Sequence, residues 1–188
     1  MRCFVAIELP EEIRRRLGEL QKRLGKLDRF VRWVRPEQIH LTVKFLGEVA
    51  DRRVPEVCAA AVTAAGAAES FEIEVSGTGC FPDRGWVRVL WAGIPELPPA
   101  LLAVQQAMEQ RYAELGFPKE NRAFRPHLTL GRTREGASAA AVRAAVERED
   151  AFVVGRFDVE ALTVFQSVLK PTGPTYITLA HARLGGRA

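Results

Sequence analysis

The chain has no long hydrophobic run. No stretch approaches the roughly 18 to 20 apolar residues that span a bilayer, so the sequence predicts no membrane partner. The N-terminal segment becomes charged after one short apolar run and has no small-residue cleavage site, so we expect no signal peptide. The 188 residues, 47% hydrophobic and 27% charged, are typical of a soluble globular protein.

Cysteine is scarce and scattered. Cys3, Cys58 and Cys80 lie far apart and form no C-x-x-C pair, which argues against a disulfide framework or a zinc knuckle. This usage is typical of the reducing cytoplasm, where we expect the protein to act. The sequence also has no G-x-S-x-G elbow and no G-x-x-x-x-G-K-[ST] phosphate loop, which argues against two common catalytic classes.

The charge has a modest basic excess. The net charge is +4 and the sequence pI is about 9.2, which is compatible with a polyanionic partner without requiring one. Basic residues recur at 14–16, where a solvated helix face explains them, and at 28–35 and 120–134. The last group surrounds one of only three histidines in the chain.

The order of apolar patterns predicts an α+β fold. Several connections between strands are too short for a parallel crossover, so we expect antiparallel pairing with helices packed on the sheet. In particular, 86–93 is predicted to be the hairpin partner of 70–79. Strand patterns occupy 3–9, 30–34, 39–46, 70–79, 86–93, 127–131, 157–169 and 175–184. Helical patterns occupy 10–27, 54–68, 98–115 and a short segment for which Ser138 is the predicted N-cap.

Two of the three histidines occur in the same tripeptide, His-Leu-Thr, at 40–42 and 127–129. Residues i and i+2 of a strand project from the same face, so each motif offers one imidazole and one hydroxyl from a rigid support. The intervening leucines point the other way, towards a core. The recurrence nearly half a chain apart suggests an internal duplication.

This pair of motifs fits phosphoester cleavage. Two imidazoles divide acid–base work when one is neutral and the other is protonated, and the histidine pKa of about 6.5 suits both roles. Hydroxyls donate hydrogen bonds to phosphoryl oxygens, and phosphoryl transfer depends on such positioned stabilisation. Two histidines without nearby carboxylate or cysteine ligands make a poor metal site, so we expect neither metal nor cofactor. His181, followed two residues later by Arg183, is interpreted as an ordinary strand histidine.

Several segments, in order, resemble the 2H phosphoesterases in their RNA 2′,3′-cyclic phosphodiesterase branch, also called 2′-5′ RNA ligases. The segments are RCFVAIELP, WVRPEQIHLTVKFLGE, GTGCFPDRGWVRVLWAG, FRPHLTLGR and SVLKPTGPTYITLAHARL. The resemblance implies a bilobal fold in which two pseudo-symmetric lobes of mainly antiparallel sheet, with flanking helices, surround a central cleft. It implies one unit over 1–188 with one H-x-T-x motif in each lobe.

The resemblance also implies roles for individual residues. His40 is similar to the family's proton donor, which protonates the departing 3′ oxygen, and His127 to the proton acceptor that activates water. Thr42 and Thr129 would hold the phosphoryl oxygens. Arg132 matches a basic residue that the family often places after its second motif. In a regular strand Arg132 would face away from Thr129, so its participation requires the strand to twist or to end nearby.

Two further residues are candidates for the neighbourhood of the site. Phe81 lies in the predicted hairpin loop, where an exposed ring would stack on the terminal base; the alternative is that the ring packs under the loop. Lys44 has the same strand parity as Thr42 but lies further along the strand, and we do not include it in the site.

The sequence therefore predicts a metal-independent enzyme that opens a terminal 2′,3′-cyclic phosphate of RNA to a 2′-phosphate. Its substrates would be RNA with cyclic-phosphate ends, or cyclic nucleotides, and we expect a monomer. Two alternatives remain open. The same acid and base would serve a 2′-5′ ligase in which a 5′-hydroxyl RNA end replaces water. A catalytically idle RNA-binding module would use only the basic cleft.

Overall fold

The structure is a computed structural model and describes residues 1–171 and 173–185. Its strands and helices follow the chain in the order β1 (Arg2–Ile7), α1 (Glu11–Arg23), β2 (Val31–Trp33), β3 (Leu41–Glu48), α2 (Val54–Gly66), β4 (Phe71–Ser76), β5 (Thr78–Phe81), β6 (Val89–Gly93), α3 (Pro99–Glu114), β7 (His127–Thr133), α4 (Ala139–Arg148), β8 (Val153–Val159), β9 (Ala161–Lys170) and β10 (Gly173–Arg183). Short 3₁₀ helices lie at Gly25–Leu27, Pro36–Gln38 and Asp51–Arg53.

Eight strands form one antiparallel sheet with the order β10-β9-β1-β3-β7-β6-β5, and β2 pairs with β7 beside β3. The sheet consists of two half-sheets. The first half-sheet is β10-β9-β1-β3, the second is β7-β6-β5 with β2, and the two meet at the single pair Leu41–Leu128. Strands β4 and β8 form a separate two-stranded sheet. The predicted α+β class with antiparallel pairing is confirmed.

The half-sheets are interlaced along the chain. The first takes β1 and β3 from the N-terminal half of the chain but is completed by β9 and β10 from its end. The second takes β2 from between β1 and β3, β5 and β6 from the middle of the chain, and β7 from beyond α3. Each half-sheet carries one His-Leu-Thr motif at the strand that faces the other half: His127 begins β7, and His40 lies directly before β3, which begins at Leu41.

The helices form where the apolar spacing predicts them. In α1, Ile13, Leu17 and Leu20 are buried at helical spacing, so one stripe of the helix joins the core. The helix ends at Arg23 rather than at Leu27, because the chain continues as the short 3₁₀ helix. At the start of α4 the Ser138 hydroxyl accepts a hydrogen bond from the Ala141 N–H at 3.3 Å, as predicted for an N-cap.

The predicted hairpin of 70–79 with 86–93 is wrong in its first strand. The segment divides at Gly77, whose φ of 72° breaks the extended run. The residues before it form β4, which pairs with β8, and those after it form β5, which pairs with β6. The segment 157–169 likewise divides, at Glu160, into strands of two different sheets. Between β9 and β10, Thr172 lies outside the described residues.

The main hydrophobic core lies between the large sheet and the helices. Cys3, Val5 and Ile7 of β1 point into it, whereas Phe4 and Ala6 point to the opposite face of the sheet. There Phe4 and Ala6 form a separate small cluster with Phe165, against which Tyr176 packs. Among the described residues, no helix combines the length and the apolar character needed to cross a membrane.

Candidate active site

The two His-Leu-Thr motifs meet where the half-sheets join. In the antiparallel register, the pair Leu41–Leu128 places each histidine opposite the threonine of the other motif. Both leucines are buried in the main core, so the histidines and threonines project from the other face of the sheet. Side chains opposite each other across such strands are about 5 Å apart at their Cβ atoms. The four residues form the His–Thr square: His40, Thr42, His127 and Thr129.

Both imidazoles are fixed in the same way. Nδ1 of His40 lies 2.8 Å from the Gln38 carbonyl oxygen, and Nδ1 of His127 lies 2.8 Å from the Arg125 carbonyl oxygen. A carbonyl only accepts hydrogen bonds, so Nδ1 carries the proton in each ring. Each Nε2 is therefore the nitrogen left to exchange a proton with a substrate.

Aromatic side chains hold each ring from one side. Phe4 stacks on His40 at a centroid distance of 4.9 Å, and Tyr176 meets the same imidazole edge-on at 5.0 Å. Phe81 meets His127 edge-on, also at 5.0 Å. Apolar contact on both imidazoles limits their rotation and keeps water away from part of each ring.

This environment lowers the pKa of both histidines. For His40 the cause is burial, which disfavours the charged form, and the hydrogen bond to the Gln38 carbonyl opposes it in part. For His127 the pKa is lowered first by burial and then by the nearby charges of Arg132 and Arg125, against the hydrogen bond to the Arg125 carbonyl. The cationic contribution distinguishes His127 from His40.

A β-bulge in β7 brings Arg132 to the face of the His–Thr square. Across β6, Leu90 pairs with Gly131 and Trp91 pairs with Thr129, so Leu130 has no opposite residue. An extra residue of this kind reverses the alternation of side chains beyond it. Arg132 is consequently exposed on the same side as Thr129, and its charge lowers the pKa of His127 and opposes the rise that burial causes in the pKa of Tyr176.

Gln21 of α1 supports this bulge. Its side-chain amide donates to the Leu130 carbonyl at 2.9 Å and to the Val34 carbonyl at 2.7 Å, and the Val34 N–H donates to the Leu130 carbonyl at 2.9 Å. Gln21 itself is buried, with 9% of its surface exposed. A buried polar side chain thus adds a second donor to the Leu130 carbonyl and a donor to the Val34 carbonyl beside the bulge.

A corresponding bulge in β3 explains why Lys44 stays out of the site. Ala6 pairs with Thr42 and Val5 pairs with Lys44, so the alternation reverses between them. The Lys44 side chain is 3% exposed and points into the protein, where Nζ lies 2.8 Å from a Glu109 carboxylate oxygen and 2.7 Å from the Pro118 carbonyl oxygen. Phe45 takes the outward position that corresponds to Arg132.

Two clefts adjoin the His–Thr square. The larger has a volume of about 620 Å³ and is lined by Thr42 and His127 together with Phe45, Phe81 and Arg125. The smaller, of about 320 Å³, adjoins His40. Its lining includes Gln38, Arg35, Phe165 and Tyr176.

Comparison with known families identifies this arrangement. The family model described as LigT like phosphoesterase matches residues 7–91 and 93–176, which is most of the chain and includes both motifs. The chain belongs to the LigT-like phosphoesterases, of the 2H phosphoesterase superfamily. The predicted family resemblance is confirmed.

Similar proteins of this family span the whole chain. A Methanothermobacter thermautotrophicus protein named RNA 2′,3′-cyclic phosphodiesterase is 30% identical over 98% of this chain and 99% of its own length. A Thermus thermophilus protein of the same name is 33% identical over 99% and 91%. Among solved structures, a protein of Thermus thermophilus aligns over 100% of both chains, with a TM-score of 0.86 and 31% identity. The E. coli LigT complexed with 3′-AMP has a TM-score of 0.80 and 25% identity, with 97% of each chain covered.

Within this LigT-like fold, other sequence-predicted residues lie apart from the square. His181 is on β10, exposed, with Nδ1 3.1 Å from the Thr163 hydroxyl, and it takes no part in the square. The cysteines are free thiols, with Cys3 buried and Cys58 and Cys80 half-buried. Within residues 1–171 and 173–185, no cluster of His, Cys, Asp or Glu is arranged to hold a metal ion.

Some residues at the site were missed from the sequence. Phe4 and Tyr176 flank His40, and the Arg125 carbonyl accepts the hydrogen bond that orients His127. Phe81 was predicted, and it lies beside His127, but Arg125 covers its ring at 4.6 Å from the centroid. Gln21 had a sequence signal: it follows Leu17 by one helical turn, so it falls in the apolar stripe of α1.

Proposed function

We propose that this chain hydrolyses the terminal 2′,3′-cyclic phosphate of RNA to a 2′-phosphate, breaking the P–O3′ bond. The observation that carries the proposal is the His–Thr square, with two imidazoles that are both held through Nδ1 and two hydroxyls on the same face. The relatives named RNA 2′,3′-cyclic phosphodiesterase over nearly the full length of both chains support it.

In this mechanism the neutral His127 accepts a proton at Nε2 from the attacking water, while the protonated His40 donates one to the departing O3′. One proton enters the enzyme and one leaves it, so the net reaction consumes a single water molecule. Thr42 and Thr129 donate hydrogen bonds to the non-bridging oxygens, and the Arg132 guanidinium adds positive charge beside them. Such preorganised groups stabilise the charge that develops on the transferring phosphorus centre.

The surroundings of the two histidines favour this assignment of acid and base. The Arg132 and Arg125 charges lower the pKa of His127 and thereby favour its neutral form, which a base requires. Near His40, the position that corresponds to Arg132 is held by Phe45, and the pKa of His40 is lowered by burial without a cationic contribution. We assign the proton donor to His40, as the family resemblance implies.

A product assay separates this function from its rivals. Hydrolysis predicts that RNA ending in a 2′,3′-cyclic phosphate, incubated alone, yields a 2′-phosphate end. A ligase predicts a longer, 2′-5′-linked product when an RNA with a 5′-hydroxyl is added. If the protein retains such RNA without altering it, the idle binding module is the correct interpretation. We further expect a cytoplasmic monomer, which light scattering tests for its oligomeric state.

Substitution of the motif residues tests the mechanism. General acid and general base assistance are each worth about 10²- to 10⁴-fold, so His40→Ala and His127→Ala should each lower kcat by that order. Because both act in one step, the double variant should lose much less than the product of the single losses. Thr42→Ala and Thr129→Ala should cost about 1.5–3 kcal/mol each. Near-normal single turnover by either histidine variant would show that the square is not the catalytic centre.

A further inference from the structure

Trp91 lies on the face of the sheet that carries the His–Thr square, although the mechanism gives it no part. In β6 it is directly opposite Thr129 of β7 and directly opposite Gly79 of β5. Residues opposite each other across antiparallel strands project from the same face, so the indole lies beside Thr129. Its side chain is half-buried there. Trp91 therefore lines the site rather than filling the main core.

Gly79 provides the space for this indole. A Cβ atom at Gly79 would overlap Cζ2 and Cη2 of Trp91 and would lie 2.5 Å from Cε2. Gly79 has no positive φ, so the close approach of the ring, not the backbone conformation, excludes a side chain at this position. The six-membered ring of the indole consequently packs directly on the backbone of β5.

The indole is held at this place in spite of its polar atom. Nε1 of Trp91 is buried, and within residues 1–171 and 173–185 it has no hydrogen-bond partner. Leaving a buried donor unpaired is costly, and a phenylalanine would avoid that cost. The contact surface of the larger ring therefore accounts for a tryptophan here better than its N–H group does. That surface packs against Phe81, at a centroid distance of 5.2 Å.

Phe81 carries this contact on to the proton acceptor. Its ring meets the His127 imidazole edge-on, at a centroid distance of 5.0 Å and an interplanar angle of 88°. The hydrogen bond of Nδ1 fixes one atom of that imidazole, and a second contact is needed to fix the plane of the ring. His40 has two close aromatic contacts, with Phe4 and Tyr176. Among the described residues, His127 has only Phe81.

We propose that Trp91, packed on Gly79, is a positioning residue for the proton acceptor. It backs the ring of Phe81 and thereby holds the imidazole of His127 in the plane in which Nε2 faces the substrate. The inference rests on the proposed function, because it presupposes that His127 accepts a proton. Trp91 acts through Phe81 and does not itself contact the phosphate. Such positioning improves proton transfer without changing how tightly the substrate binds.

Removal of the indole should impair turnover more than binding. Trp91→Leu keeps an apolar side chain but removes the ring that lies over β5. We expect kcat to fall about 10- to 100-fold, a part of the 10²- to 10⁴-fold that a general base contributes, with KM changed less than about 3-fold. Trp91→Phe keeps a ring against Phe81 and should recover part of the loss. Trp86→Leu is the matched control, because Trp86 is 49% exposed in the loop between β5 and β6, and it should leave kcat within about 2-fold of the unaltered value.

Gly79→Ala tests the packing of the indole independently. The added Cβ atom displaces the ring, so this variant should reproduce the loss of kcat that Trp91→Leu causes. In the double variant the two losses should overlap, because the substitution at Gly79 then has no ring to displace. Gly66→Ala is the control for an added methyl group, since a Cβ atom at Gly66 meets nothing within 4 Å. Losses that multiply in the double variant would show that Gly79 does not act through Trp91 and would overturn the proposal.

NMR titration of the histidine side chains supplies a readout that a change in stability alone does not move. Three histidines occur in the chain, so each ring can be followed: His40, His127 and His181. Burial lowers the pKa of His127, so loosening its contact with Phe81 should admit water and raise that pKa towards 6.5. Trp91→Leu and Gly79→Ala should both show this rise and leave the titration of His40 unchanged. His127→Asn identifies the signals of His127.

None of these substitutions at Trp91 or Gly79 removes a charge. The charges that act on the pKa of His127 are those of Arg132 and Arg125, and both remain. The other charged residues that line the larger cleft also remain: Lys44, Asp83, Arg88, Glu109, Glu120 and Arg122. A rise in the pKa of His127 therefore reports a change in the burial of its ring.

The titration also keeps this inference separate from the proposed function, because it requires no turnover. An unaltered pKa of His127 in both variants, or a loss confined to KM, would overturn the positioning role and leave Trp91 with a structural role alone. If the unaltered protein hydrolysed no cyclic phosphate, the proposed function would fall. A raised pKa of His127 in the two variants would still show that Trp91 holds the imidazole.

Discussion

Replacing Gln21 with leucine should weaken both the fold and the reaction, since Gln21 supports the bulge that carries Arg132 to the site. Leucine keeps the approximate size and removes the amide that donates to the Leu130 and Val34 carbonyls. The Leu130 carbonyl retains the Val34 N–H as a donor. Losing its hydrogen bond from Gln21 should therefore lower the free energy of unfolding by only about 1 kcal/mol. The partly buried Val34 carbonyl loses its amide partner at a further cost of about 1–2 kcal/mol.

Urea unfolding measures the expected loss of about 2–3 kcal/mol, the sum of these two hydrogen-bond losses. Gln110→Leu is the matched control, because Gln110 is exposed: its amide donates to Glu114 at 3.1 Å and its Oε1 accepts from the exposed Lys119 at 2.8 Å, so the substitution removes only surface hydrogen bonds. That substitution should change the free energy of unfolding by no more than about 0.5 kcal/mol. An unaltered urea midpoint for Gln21→Leu would show that the bulge does not depend on this amide.

The same substitution should lower kcat/KM at temperatures where the variant stays folded. A relaxed bulge turns Arg132 away from the His–Thr square, so the loss should not exceed that of Arg132→Ala. In the double variant the two losses should overlap instead of adding, since both act through one guanidinium. If the losses multiply independently, Gln21 does not act through Arg132.

Three further predictions concern pH, the buried ion pair and chelation. The pKa values of His40 and His127 are both lowered from 6.5, and the base must be neutral while the acid is protonated, so kcat/KM should be bell-shaped with its maximum below pH 6.5. A maximum above about pH 7 in the unaltered protein would contradict the lowered pKa values. Arg132→Ala should move the acidic limb of the profile to higher pH, because removing the cation raises the pKa of His127. Lys44→Met leaves the Glu109 carboxylate, whose side chain is 15% exposed, without its cation, and should cost about 3 kcal/mol in urea unfolding. The double variant Lys44→Met/Glu109→Leu should regain part of that loss. If Lys44→Met is as stable as the unaltered protein, the ion pair does not stabilise the fold. Activity should survive EDTA, because the square supplies two imidazoles and two hydroxyls but no carboxylate or thiolate; activity that falls in EDTA and returns with a divalent ion would overturn the two-histidine mechanism.

The placement of the two His-Leu-Thr motifs was predictable because strand parity is a local property. The alternation within His-Leu-Thr already places the histidine and threonine on one face and the leucine on the other, and the structure keeps that arrangement in both copies. Only the meeting of the two copies required more than local reasoning. The recurrence of the tripeptide was the signal for it.

Residues beyond the bulges were not predictable in this way. Regular strand alternation predicts that Arg132 faces away from the site and that Lys44 faces towards it. The bulge in each strand adds one residue and reverses both predictions. The bulge in β7 is contacted by Gln21, which lies far away in sequence. The prediction that all of 70–79 pairs with 86–93 failed for a related reason: both halves of 70–79 alternate alike, and only the turn at Gly77 assigns β4 and β5 to different sheets.

The interlacing of the half-sheets has a consequence for cooperativity. Because β1 and β9–β10 of the first half-sheet lie on either side of the second half-sheet along the chain, no single cut places the two half-sheets in different fragments. Unfolding of the first half-sheet alone would therefore release both ends of the segment that forms the second. Loss of enzymatic activity during denaturation should coincide with loss of secondary structure, in one transition. A split-protein reporter cut between β7 and β8 would regain turnover only on reassembly of both fragments.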